Sequence, residues 1–207
     1  MGSLTLSLWR DVDACWATHL ALHTPWQLLD ELPSLLRGIG ATLGEDYLRP
    51  SVDVWVHRSA VIAEDVSIAA PCIIAEGVVV RQGAFLRGCA YLGTDAIVGH
   101  CTEVKHSLMM HKACCPHFNY VGDSILGARA HLGAGAILCN VRQDGGPVWL
   151  QIEGVRYPTE RRKMGALIGD GAEVGAGAVL NPGTVLTADS RVRPLQSVKG
   201  YIDNAPR

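Results

Sequence analysis

Stepping by six from Val56 lands on Ile62, Ile68, Ile74, Val80, Leu86, Leu92, Val98 and Val104, nine aliphatic residues in succession. Two residues before each stand Val54, Ala60, Val66, Cys72, Val78, Ala84, Ala90, Ala96 and Thr102, all small or β-branched. The phase returns at Leu126, Leu132 and Leu138, and again at Ile168, Val174, Leu180, Leu186 and Val192. A period of six is neither the 3.6 of an amphipathic helix nor the plain alternation of a hairpin meander. Three short strands per coil, each turning at a small residue or glycine, do account for it, with every aliphatic side chain stacked inside on its equivalent one coil along. The expected fold is all-β, a parallel β-helix. Gly numbers 23 and aromatic residues reach only 6%, which suits tight repeated turns better than a large aromatic core. Both ends of such a stack are open sheet edges and need covering.

Three regions interrupt the period. Residues 1–50 read as mainly helical, with Thr24-Pro25 as N-cap and first-turn proline, an apolar stripe in WQLLDELPSLL and a stop at Gly38. This segment is expected to cap the first coil or pack along its flank. Residues 105–120, KHSLMMHKACCPHFNY, lose the repeat and concentrate His, Cys and Lys. Within the β-helix of residues 51–200, positions 141–167 form an inserted loop, where VWLQI and VRY flank Glu153-Gly154 and predict a hairpin. Residues 201–207 are left as a C-terminal tail.

Composition narrows the partners. A hydrophobic fraction of 48% argues against disorder. A formal net charge of −2 argues against nucleic acid or an anionic membrane, so any basic site must be local. No basic, then apolar, leader opens the chain, and no run approaches a membrane span, so a cytoplasmic protein is expected. The seven cysteines read as reduced thiols. Cys114-Cys115 lacks the second half of a zinc motif, and no metal is expected.

Arg87 and Lys105 are eighteen residues apart, one full coil, and should stack into a pair of cations suited to a dianion such as a sugar phosphate. The alternative is two solvated surface charges. His117, in an irregular stretch after Pro116, is of the residue type that deprotonates an amine near neutrality, although a lone His is more often structural.

The run from Glu103 to Asn140 carries more. It reads Glu103-Val104-Lys105, then PHFNYVGD over residues 116–123, then Gly133-Ala134-Gly135 and Cys139-Asn140. In these motifs the chain resembles the acetyltransferase half of the bifunctional UDP-N-acetylglucosamine pyrophosphorylase/glucosamine-1-phosphate N-acetyltransferases, over roughly residues 75–200. The resemblance implies a left-handed coil, a homotrimer with sites between subunits, and direct acetyl transfer from acetyl-CoA to an amino-sugar 1-phosphate (glucosamine or galactosamine). It implies His117 as general base, Arg87, Lys105 and Lys163 as holders of the phosphate, and Tyr120 and Asn140 as positioners of the sugar. His131 stands where that family has asparagine, and Val141 where it has tyrosine. The first 50 residues contain no glycine-rich nucleotide loop, so pyrophosphorylase activity is not expected. Two other classes fit the same scaffold. One is a catalytically silent oligomerisation or regulatory module. The other is a zinc protein of the γ-carbonic anhydrase kind, for which His100, His106, His111 and His117 are available but the characteristic Arg-Gly-Asp and Asn-Ile-Gln-Asp segments are missing.

Overall fold

In the computed structural model, which describes residues 8–205, three parallel sheets wrap a single apolar column. The first face runs through Val54–His57, Cys72–Ile74, Ala90–Leu92, Ser107–Met109, Ile125–Leu126, Ala166–Ile168 and Thr184–Leu186, and ends at Tyr201–Ile202. The second face contains Ile97–His100, Cys114–His117, His131–Leu132 and Glu173–Val174; the third contains Phe85–Arg87, Glu103–Lys105, Tyr120–Gly122 and Ile137–Leu138. This is the parallel β-helix expected from the period. The six-step residues fill the interior, Ile74, Leu86, Leu92, Val98, Val104, Leu126, Leu132 and Leu138 among them, at 1% exposure or less. The final strand extends the first face beyond residue 200, into what the sequence left as a tail. The start of the chain, on which the absence of a leader was judged, and the end of the tail lie partly outside the described residues.

The repeat does not fail between 105 and 120. Ala90 pairs with Ser107, and Leu108 with Ile125, so two successive coils have seventeen residues instead of the eighteen that separate Val54 from Cys72. The inward residues Val104, Met109, Cys115, Val121 and Leu126 step by five, six, six and five. The missing residue comes out of the corner between the third and first faces. Gly88 and Cys89 both turn there with positive φ in the longer coil, whereas His106 (φ 50°) and Asp123 (φ 49°) turn alone in the shorter ones. One left-handed residue is enough to redirect the strand.

Two helices cover the outside of the first face: α1, Ala14–Leu22, and α2, Pro25–Thr42. Thr24 caps α2 as expected, in a reciprocal pair with Gln27. Gly38 does not stop it. The helix runs four residues further because Gly40 lets it approach the sheet, where a Cβ would stand 2.4 Å from the Trp55 ring. Leu28, Leu29, Leu32 and Leu36 pack with Trp55, Ile73, Tyr91, Leu108, Ile125, Leu167 and Val185, the outward column of the first face, each leucine contributing about 1.5–3 kcal/mol by burial. The N-terminal segment therefore lies along the flank and not over the end.

Pro33, inside α2, has no N–H to offer the carbonyl of Leu29. His106 takes that vacancy: its Nε2 lies 2.6 Å from Leu29 O. The insertion forms the expected hairpin, Trp149–Ile152 against Val155–Pro158, with Glu153 and Gly154 both at positive φ in the two-residue turn. Val148, Leu150 and Ile152 join the same outer apolar cluster as the helices.

Candidate active site

Successive coils bring Arg87, Lys105, Asp123 and Asn140 to the corner between the third and first faces. At its centre is Asp123, 2% exposed. Its Oδ2 accepts from Lys105 Nζ at 2.8 Å and from Asn140 Nδ2 at 2.6 Å, and its Oδ1 faces Arg161 Nη2 at 3.4 Å. Asn140 Nδ2 also donates to Tyr120 Oη at 3.1 Å. Burial pushes the Tyr120 phenol above its ordinary value, and the charges of Glu103 and Asp123 push the same way. Arg161 reaches in from the insertion and pairs in addition with Asp30 of α2, so helix, insertion and coil meet at one point. Arg87 Nη1 binds Glu103 Oε1 at 2.9 Å, a contact that holds the guanidinium proton more firmly than usual.

The expected stacking of Arg87 and Lys105 is seen in the register, where Val104 lies beside Leu86, but neither is a bare cation. Each has a carboxylate partner, Glu103 or Asp123. Lys163 returns the insertion to the same corner through a bridge to Val141. With Asp30, His106, Asp123, Arg161 and Arg162 it lines a hollow of about 350 Å³. Among the described residues neither Arg162 nor Lys163 stands in an ion pair. Asp123 and Glu103 stand in the motifs of the sequence but carry no role there, although the argument that pairs Arg87 with Lys105 pairs Lys105 with Asp123 just as well.

His117 sits at the other edge of the third face, roughly 10 Å away by strand rise. Its main chain is tied down, with its N–H donating to Asn119 Oδ1 at 3.1 Å and its carbonyl accepting from Gly135. Its exposed ring makes no hydrogen bond among the described residues. His131 is elsewhere. It stands exposed on the second face, between Cys114 and Glu173, over a hollow of about 410 Å³ shared with Arg191 and Arg193. Tyr120, Lys105, Arg87, Asn140 and Lys163 thus gather on one corner, His117 faces it across a sheet, and His131 is apart. Of the four histidines available to a metal, His106 is spent on Leu29 and His111 on Asp13. No group of three or more His, Cys, Asp or Glu placed to hold a metal occurs among the described residues.

Fold and site together define a hexapeptide-repeat β-helix with a charged, hydrogen-bonded corner where its coils shorten. No family model matches the chain. It is 32% identical over 176 residues to the bifunctional sugar-1-phosphate nucleotidylyltransferase/acetyltransferase of Sulfurisphaera tokodaii, covering 82% of this chain and 43% of that protein. It is 40% identical over 96 residues to the bifunctional protein GlmU of Methanococcus vannielii, covering 46% and 23% respectively. The resemblance drawn from the motifs is therefore to proteins so named, and the chain spans less than half their length. Among solved structures, the acetyltransferase domain of PglB from Neisseria gonorrhoeae aligns with 73% of this chain and 51% of its own at a TM-score of 0.26 and 16% identity.

Proposed function

We propose that the protein is an acetyl-CoA-dependent N-acetyltransferase acting on an amino-sugar 1-phosphate. The observation that carries this is the gathering of Lys105, Tyr120, Asn140 and Lys163 on one corner, with an unengaged His117 across the face from it. The relatives' names supply the reaction class. The sugar ammonium first gives up a proton to solvent; the neutral amine then attacks the thioester carbonyl while the His117 imidazole takes a second proton from that nitrogen. The tetrahedral intermediate then collapses with loss of the CoA thiolate, which the imidazolium reprotonates. An amine needs no acyl-enzyme, so alignment supplies much of the remaining acceleration.

The phosphate belongs at the hollow lined by Arg162 and Lys163, whose charges are unspent. Arg87 can join by exchanging Glu103, since an exposed ion pair is held weakly. Lys105, bound to buried Asp123, contributes field more than a free ligand position. In a homotrimer, His117 of one subunit would face the corner of another, which the wide spacing within one chain favours. No helix among the described residues is long and apolar enough to cross a membrane.

The test is to supply acetyl-CoA with glucosamine-1-phosphate or galactosamine-1-phosphate and follow free CoA by chromatography, because exposed Cys15 and Cys101 would consume thiol reagents. Release is expected with one of the two, and His117→Ala should lower kcat by about 10²–10⁴-fold. No release from either sugar, nor from a UDP- or dTDP-linked amino sugar, would overturn the enzyme reading and leave the silent module.

A further inference from the structure

Asp123 does more at this corner than balance charge. Asn140 offers two amide hydrogens and one carbonyl oxygen, and which end faces inward is ordinarily ambiguous. Here it is not, because a carboxylate already paired with Lys105 and Arg161 only accepts. The amide nitrogen must face Asp123, at 2.6 Å, and the same nitrogen gives its second hydrogen to Tyr120 Oη at 3.1 Å. Both hydrogens of Asn140 are thereby used. Two groups are left over: the Tyr120 hydroxyl, which accepts from Asn140 and so has its own hydrogen to donate, and Asn140 Oδ1. Neither the Tyr120 hydrogen nor Asn140 Oδ1 has a partner among the described side-chain bonds, and neither atom is sealed and orphaned.

We infer that Asp123 is a positioning and specificity-determining residue, fixing the polarity of Asn140 so that Tyr120 and Asn140 present one donor and one acceptor to a hydroxyl of the acceptor. The inference rests on the proposed function for the nature of the acceptor. A hydroxyl is the group that suits this pair, since it both donates and accepts. A phosphate only accepts at its charged oxygens, so it has nothing to give Asn140 Oδ1 and meets it unfavourably; Arg162 and Lys163, in no ion pair among the described residues, are the groups that suit it. An ammonium has no lone pair for the Tyr120 hydrogen. One end of the corner thus reads sugar hydroxyl, the other reads charge. Gly122 keeps the arrangement open, because a Cβ there would lie 2.6 Å from Tyr120 Oη and 2.8 Å from Asn140 Nδ2.

The test compares wild type with Asp123→Asn and with the exchanged pair Asp123→Asn/Asn140→Asp. In the exchanged pair the hydrogen bond between positions 123 and 140 is kept but its direction is reversed. An aspartate at 140 then draws in the Tyr120 hydrogen and removes the outward donor. Each protein is assayed with the amino-sugar phosphate and its monodeoxy analogues. The wild type is expected to favour the parent over one deoxy analogue by about tenfold or more, because an unmet site hydrogen bond is costly. Whatever their overall rate, both variants should lose that preference, with kcat/KM for the parent and for that deoxy analogue becoming equal. Equal loss on parent and every analogue would mean a merely structural role and overturn the inference. The side-chain amide protons of Asn140, observed by ¹⁵N-edited NMR, give a readout that survives failure of the enzyme reading. They should move on Asp123→Asn, and unchanged shifts would overturn the polarity argument even if no turnover is found.

Discussion

The two edges of the third face are built on opposite plans. At the edge shared with the first face, side chains hold side chains: Asp123 ties Lys105, Asn140 and Arg161 together inside the protein. At the edge shared with the second face, a side chain holds the main chain. Asn119, 3% exposed, receives the His117 N–H on Oδ1 and donates Nδ2 to the carbonyls of Gly133 and Ala136. Gly99 lies so close beneath Pro116 that no side chain fits between them. The first plan fixes where groups point and leaves them little freedom. The second fixes a residue's position and leaves its ring free, which suits a group that must take up and release a proton.

That contrast is easiest to break at Asp123. Asp123→Leu strands Lys105 and Arg161 beside a buried apolar group, and should cost about 3–5 kcal/mol in urea unfolding. A loss below about 1 kcal/mol would show that the corner is held by something other than its ion pairs. Asn119→Leu tests the opposite edge. It keeps the branched shape and removes three hydrogen bonds to the main chain, for an expected loss of at least about 2–3 kcal/mol. Hydrogen exchange should then rise at the amides of His117 and Gly135 and remain slow at Asp123. Faster exchange at both edges would mean that the two are one cooperative unit.

How much of this could be read in advance depended on the range of the interaction. The interior column follows from a fixed step and needs no partner outside the repeat, so Ile62 through Val104 foretold the architecture. The shortened coils were hidden because Lys105-His106-Ser107 looks like a loop by composition, although Met109, Cys115 and Val121 still mark the inward phase. The outward column Trp55, Ile73, Tyr91 and Leu108 carries its own register of eighteen and then seventeen residues, and would have placed α2 on the first face. Arg161 with Asp30 could not be foreseen. They are 131 residues apart, and only the docked helix brings them together.

His106 gives a smaller effect with a definite sign. Burial in its contact with α2 lowers its proton affinity below the ordinary value of 6.5, and its Nε2 must keep a hydrogen for Leu29 O. The unfolded chain therefore binds a proton that the folded chain resists. This contribution is fully favourable above pH 6.5 and is lost as the pH falls below it. His106→Gln keeps a donor toward Leu29 and does not titrate. Wild type should lose up to about 1 kcal/mol more than the variant between pH 7 and pH 5. Parallel urea midpoints across that range would remove His106 from the account.

The smallest change expected is at His117 itself. Because Asn119 and the main chain hold that edge, His117→Ala removes an exposed ring that bonds to nothing among the described residues, and stability should stay within about 0.5 kcal/mol of wild type. The neighbouring main-chain bonds, His117 N–H to Asn119 and Gly135 N–H to the His117 carbonyl, are available to alanine unchanged. An unchanged urea midpoint together with lost CoA release would separate the ring's chemical role from any part in folding. A loss comparable to that of Asp123→Leu would instead show that the ring is packed in the working assembly, most simply against a neighbouring subunit. In that case the loss should grow with protein concentration, because the wild type gains stability from association by mass action and a variant that no longer associates does not.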